Sequence, residues 1–445
     1  MASVASKPDD LSLESAKKQS VFSMPLEDLM GWFVIFGCAF LNLANLLQEK
    51  EEVGLDFQVL AKLGLVGLGG LYGCWGLLTR PAVRRMLTTF PVVWLLLIGA
   101  CYFIAIPFSI SPQNSLVSSC SIVAVVVMTL TALDHLGVMR TFKAIFAGAA
   151  LFIIGSWIFY FAVPDIGRFA EPIADGEFVH RMSGLAHPNT LGQFSGLTFV
   201  LCAILYFSYR ERSPFILLIG ILALAALVSS LSRTSLMASV LALAVGYRHL
   251  FLKKKYVGNY LLITALMLVG ILILSTQVDL GRELSSKLGL LSKSGGSEEL
   301  TTATGRADIW AHAIHLIQKQ PLTGYGAATQ KFFFVEHSFY THNMVLNIAF
   351  SGGIFAGIAA LMMIFGRVRD LFFNNNPLVD SLVVFFIING LFENVIFSIL
   401  AGLPTIIWVI ILAWPHLQDD PAVKQLNRSK RVRDEGPGRF IRLDS

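Results

Sequence analysis

Charge is scarce in this chain. Asp, Glu, Lys and Arg supply 14% of its 445 residues, and 55% are hydrophobic, whereas soluble domains carry about 25% charged residues. That deficit excludes an ordinary water-soluble enzyme. Cysteine is scarce as well. Cys38, Cys74, Cys101, Cys120 and Cys202 all fall inside apolar runs and none in a loop. This excludes a disulfide framework and a thiolate metal site, and leaves them as small, polarizable packing residues. No internal repeat is evident, and no signal-peptide pattern precedes the first long apolar run. Residues 1–28 are polar and are read as a cytoplasmic tail.

What the chain has instead is long apolar runs, recurring from Gly31 to Pro415, with a mean hydropathy of +0.67. A bilayer core takes about 20 apolar residues per helix. The expected fold is therefore an all-α polytopic membrane protein. Its spans are read at 29–47, 59–78, 91–108, 115–133, 144–163, 190–208, 214–231, 234–250, 259–275, 343–365, 378–397 and 399–415, about twelve helices in all. The last two are short and closely spaced, the pattern of tilted or interrupted helices. Residues 29–415 are read as one bundle, and 416–445 as a basic cytoplasmic tail.

The basic residues orient the bundle. With the N-terminus inside, the inner loops hold Arg80, Arg84 and Arg85, then Arg140 and Lys143, Arg210 and Arg212, Arg248 with Lys253 to Lys255, and Arg367 with Arg369. The two tails add ten more, which puts 23 of the 34 basic residues inside, as the positive-inside rule requires. The basic tail is read as an anchor at anionic lipid rather than a nucleic-acid arm. Segments 164–189 and 276–342 and the turn Ser230 to Thr234 then all lie outside, where their polar groups can meet.

The long outer loop, 276–342, is the main water-loving interruption. Residues 292–304 read as a connection rich in Gly and Ser. A short amphipathic helix should follow, with Thr304 as its cap, Asp308 in its first turn and Pro321 limiting its length. Ile309, Ala313 and Ile317 recur at helical spacing, as do Trp310, Ile314 and Ile317, a stripe suited to lying on the membrane surface. Arg306, one turn before Trp310, then points at the bundle. Beyond Gly324 and Gly326 the chain re-enters the membrane through Thr341-His342-Asn343.

These residues carry a resemblance. Gly305-Arg306-x-x-x-Trp310, Pro321-x-x-Gly324-x-Gly326, His342-Asn343 and Gly352-Gly353, with Arg181-x-x-Gly184-x-x-x-Pro188-Asn189 and Ser232-Arg233-Thr234 upstream, resemble the O-antigen ligase and polymerase superfamily over roughly residues 180 to 365. The resemblance implies a helical bundle with one large periplasmic loop in the bacterial inner membrane, both termini cytoplasmic and the active site periplasmic. It implies transfer of a glycan from an undecaprenyl diphosphate carrier, to lipid A–core in a ligase or to another repeat unit in a polymerase. It makes His342 the essential histidine, Arg233 and Arg306 the essential arginines, and Arg181 a member of a further arginine motif.

The chemistry explains those residue types. Charge develops on the leaving diphosphate, and guanidinium groups grip phosphate oxygens in a planar, bidentate way. A neutral imidazole takes the proton of the attacking sugar hydroxyl. Direct attack inverts the anomeric centre. His342 is thus read as the general base, Arg181, Arg233, Arg306 and Asn343 as substrate-binding, and Glu393, an acid in the apolar stretch Phe392-Glu393-Asn394, as the group that orients His342 or pairs with an arginine.

Each reading has a plainer rival. Arg233 at a span start is placed to snorkel, Asn343 to start a helix, and Glu393 to serve a structural ion pair. His337 is the rival base, and His312 with His315 form a solvated pair rather than a metal site. A transporter or flippase is the rival class, but such proteins concentrate their ionisable groups at the midplane, often in repeats. The outer loops contain no Asp-x-Asp pair, so arginines take the charge role that a divalent metal plays elsewhere. No metal or cofactor is expected. Transfer should persist in EDTA, and activity that vanishes with the chelator and returns with Mg²⁺ would contradict this.

Overall fold

The computed structural model describes residues 25–41, 57–172, 178–208, 213–248, 302–334, 340–373, 376–397 and 402–418. Helices dominate. They are α1 (Leu26–Phe40), α2 (Phe57–Thr79), α3 (Pro81–Leu87), α4 (Val93–Ala105, continued by a 3-10 turn Ile106–Phe108), α5 (Pro112–His135), α6 (Val138–Ala162) and α7 (Pro164–Gly167). After the hairpin β1 (Arg168–Pro172) and β2 (Phe178–Met182) come α8 (Pro188–Phe207), α9 (Pro214–Ser229), α10 (Arg233–Gly246), α11 (Thr302–Lys319), α12 (Met344–Phe373), α13 (Pro377–Phe392) and α14 (Leu403–Leu417).

Eleven of the expected spans coincide with helices. The ninth, 259–275, lies outside the described residues, as do residues 1–24, 276–301 and 419–445. Among the described residues, five helices are long and apolar enough to cross a bilayer, and five shorter apolar ones accompany them. The core is laid down by sequence. Helix α14 is apolar on every side, the mark of a fully buried helix, and residues Leu403 to Trp414 are all buried. Phe386 of α13 lies tilted against its Trp408 and edge-on to Phe385. Helix α5 packs against α2 and α14, α10 against α13 and α8, and α12 against α4.

The bundle has two polar ends. At one, Asp28 binds Arg140 at 2.9 Å and His135 at 3.2 Å, Arg80 binds Asp134 at 3.0 Å, and Arg248 binds Asp380 at 2.8 Å. Arg367 donates to Ile411 O at this end as well. At the other end Ser115 donates to Ala327 O. Ser115 and His135 lie on the same helix, α5, about 30 Å apart at 1.5 Å per residue. Arg80, Arg140, Arg248 and Arg367, which charge bias groups together, therefore share one end, and the long-loop residues occupy the other.

Segment 164–189, read from sequence only as an outer segment, contains an antiparallel hairpin in which Phe169 faces Arg181. Its alternating residues place Glu171 and Arg181 on one face, where they pair. Helix α11 begins at Thr302, two residues before the expected cap. Its stripe covers protein: Ile309, Ala313 and Ile317 pack with Phe334 and Phe350, while Ile314 faces outward. Helix α13 stops at Phe392, short of the expected 397, because Glu393 turns extended at φ −148 and ψ 157.

The glycines of the long loop dock backbone on backbone. Helix α12 is broken at Gly353 (φ 80, ψ −178), a conformation reserved almost wholly for glycine. The break frees two carbonyls. Tyr325 N–H donates to Phe350 O at 2.8 Å and Gly326 N–H to Ser351 O at 2.9 Å, while Ile354 N–H donates to Pro321 O at 2.7 Å. Nothing larger than hydrogen fits: a Cβ on Gly324 would lie 2.5 Å from Gly353 N, and one on Gly353 would lie 2.4 Å from Leu322 O. Gly353→Ala should therefore lower the thermal midpoint of the purified protein by an amount equivalent to about 1–3 kcal/mol. Gly67→Ala, a helical site with open space around it, should change it little. Equal midpoints for the two variants would contradict this account.

Candidate active site

Four chain segments supply the site. The first is Thr341-His342-Asn343, where the long loop enters α12. Trp310 Nε1–H, from α11, donates to Thr341 O at 3.1 Å, and the Thr341 hydroxyl lies 3.2 Å from Asn394 Oδ1. Asn343 caps α12 by accepting Leu346 N–H at 3.0 Å, and its Nδ2 donates to Leu391 O at 3.2 Å. Between these clamps His342 adopts φ +48, a left-handed conformation uncommon in a residue with a side chain. Strain of this kind persists only where the surroundings enforce it.

The second segment is the extended stretch after α13. His342 Nδ1 lies 3.0 Å from Glu393 Oε2. An ionised carboxylate only accepts, so the shared proton belongs to Nδ1; in the neutral imidazole the lone pair then sits on Nε2. The other oxygen, Oε1, accepts from Arg306 at 3.1 Å and from Asn189 Nδ2 at 3.2 Å. Three donors thus converge on one buried acid, which is how a charge is kept away from water. Arg306 also sits 5.7 Å above the Phe392 ring.

The third segment joins β2 to α8. Arg181 is buried and spends three donors on protein: Nε on Ser230 O, one Nη on Glu171 and the other on Asn189 Oδ1, each at 2.8 Å. Asn189 N–H donates to His187 Nδ1 at 3.3 Å. Burial, with the Arg181 charge beside it, holds the His187 imidazole below its ordinary range, so His187 is a neutral acceptor here.

The fourth segment is the turn into α10. Ser230 O is the Arg181 acceptor just described, and Arg233, half-buried, opens the helix three residues on. Ser232 donates to Ser235 at 3.0 Å, and Ser235 to Asn389 Oδ1 at 3.1 Å. Asn389 O in turn accepts Glu393 N–H. The Arg233 turn is therefore fastened to the segment that carries Glu393.

The expected site residues are thus brought to one end, with different standing. His342, Arg306 and Glu393 touch. Arg181 and Asn343, expected on the substrate, have their side chains engaged by protein. His312 Nε2–H donates to Phe333 O at 3.2 Å and stays exposed, and His337 lies outside the described residues. Asn189 and Glu171 carried no assigned role in the sequence. The signal for Asn189 was present, since it closes the Arg181 motif, but nothing along the chain reveals that its amide reaches Glu393, 204 positions away.

Comparison with known proteins points in the same direction as the motifs. Residues 217–361 match the family model described as O-antigen ligase. The chain is also 25% identical over 276 residues to the exopolysaccharide production protein ExoQ of Rhizobium meliloti (strain 1021). That alignment spans 61% of this chain and 60% of ExoQ's own length. The matched stretch contains Arg233, Arg306 and His342, and both matches support a likeness to the O-antigen ligase and polymerase superfamily.

Proposed function

We propose that this protein is a membrane glycosyltransferase that moves a glycan from an undecaprenyl diphosphate carrier to a sugar hydroxyl at the periplasmic face of the bacterial inner membrane. The observation that carries this reading is the His342–Glu393–Arg306 contact: an imidazole whose Nδ1 is spent on a carboxylate, beside a partly exposed guanidinium. The pair matches the two needs of the reaction, a base for the hydroxyl and a cation for the diphosphate.

The acceptor hydroxyl gives its proton to His342 Nε2 as its oxygen attacks the anomeric carbon. The bond from that carbon to the phosphate oxygen breaks, its electron pair stays with the departing diphosphate, and configuration inverts. Arg306 and Arg233 take the developing negative charge, and low local dielectric strengthens that stabilisation. Glu393 fixes the imidazole tautomer and balances the imidazolium that forms. Arg181 and Asn343 act as ties that hold Asn189 and the start of α12. The arginines fill the charge role without a metal.

Two acceptors have specific support. The family description points to a ligase, which caps lipid A–core. The ExoQ match points to polymer synthesis, in which the acceptor is another carrier-linked repeat unit. Deletion strains separate them: loss of a ligase leaves long carrier-linked chains and bare lipopolysaccharide, and loss of a polymerase leaves single-repeat products.

With purified protein and a lipid-diphosphate-linked glycan, His342→Ala should lower transfer by about 10²–10⁴-fold while the protein still inserts and folds. Near-normal product from that variant refutes the base assignment. Arg306→Ala should weaken use of the donor and lower the thermal midpoint only in part, since His342 and Asn189 still donate to Glu393, whereas Arg181→Ala should lower the midpoint more. The opposite pattern would exchange their roles.

A further inference from the structure

Arg306 and Asn189 share one oxygen of Glu393, and they are held very differently. The Arg306 side chain is 26% exposed, against 12% for Glu393 and 4% for Arg181. Among the described residues its only polar partner is Glu393 Oε1, through one Nη. Its Nε and second Nη take no partner among the described residues and can serve an incoming anion. Asn189 is gripped on both sides of its amide: Oδ1 accepts from Arg181 at 2.8 Å and Nδ2 donates to Glu393 at 3.2 Å. Turning the amide over would set N–H against guanidinium and oxygen against carboxylate, so the orientation is fixed. Arg181 is itself anchored to Glu171 and to Ser230 O.

We propose that Asn189 is a positioning residue that keeps the Glu393 carboxylate aligned on His342 when Arg306 turns from that carboxylate to a donor phosphate. The inference rests on the glycan-transfer reading above. A diphosphate carries more charge than a carboxylate and matches the guanidinium fork, so the two compete for Arg306. Without Asn189, Oε1 would lose both donors as the donor lipid binds, and the acid would be free to rotate away from Nδ1. With Asn189 in place, each oxygen of Glu393 keeps one donor in the occupied site: Asn189 on Oε1 and His342 on Oε2. Donor binding and base alignment then proceed together. Asn189 suits the task because a neutral amide passes on the hold of Arg181 without bringing another charge to the site.

The test uses the full-length protein with a polyprenyl-diphosphate-linked glycan. Asn189→Ala should lower kcat by about tenfold or more and leave the donor KM within about threefold, the cost of a misaligned catalytic group. Asn189→Asp keeps the shape and the Arg181 contact but sets a second carboxylate against Glu393. It should show the same kcat loss and move the acid limb of the pH profile upward, because two adjoining carboxyls share a proton. The other titratable or charged groups around Glu393 are His342, Arg306 and His187, with Arg181 and Glu171 behind Asn189, and the substitution leaves all five in place. Wild-type kcat and pH profile in both variants, beside an inactive His342→Ala, overturn the inference and spare the transfer reading. A loss that merely tracks a lowered thermal midpoint, with the pH profile unmoved, also overturns it. Should Asn189→Ala fail to fold, the Asp variant decides alone. An active His342→Ala removes the transfer reading itself.

Discussion

One carboxylate organises the long-loop end of this molecule. Glu393 is buried, and His342, Arg306 and Asn189 bring it donors from three separate parts of the chain. A lone buried acid is expensive, and removing one partner of such a pair leaves an uncompensated charge. The same interaction that tolerates the charge also fixes the His342 imidazole. It holds the loop entering α12, the first turns of α11 and the start of α8 in one arrangement, so the geometry of the proposed chemistry and the packing of the loops are one constraint.

Backbone contacts do the coarser placing. The break at Gly353 and the turn at Gly324 and Gly326 let the long loop lie directly on α12. Below it α11 buries Ile309, Ala313 and Ile317 against Phe334 and Phe350. Arg306 and Trp310 extend from this helix toward Glu393 and Thr341. A helix docked by apolar contacts at one face and by glycine backbone beyond its end presents its arginine from a firm base, although the arginine itself keeps donors to spare.

The sequence made the spans legible because a bilayer imposes its own length and polarity on every helix. Gly31 to Pro415 could be parsed on that ground, and the order of the motifs brought His342, Arg233 and Arg306 together as candidates. What stayed hidden depends on three-dimensional contact. Two arginines in similar motifs look alike in sequence, yet Arg181 is consumed by Glu171, Asn189 and Ser230 O while Arg306 is not. The end of α13 at Phe392 was invisible because Leu391, Val395, Ile396 and Phe397 are apolar enough to continue a helix. Burial of α11 against protein rather than lipid was hidden too, since both call for the same stripe.

The far end of the bundle carries a consequence of its own. Asp28, Arg140, His135, Arg80 and Asp134 neutralise one another there, as do Arg248 and Asp380. Charge at this end is matched pair by pair, so acidity on the Asp28 side acts on the contacts that anchor these helices to one another.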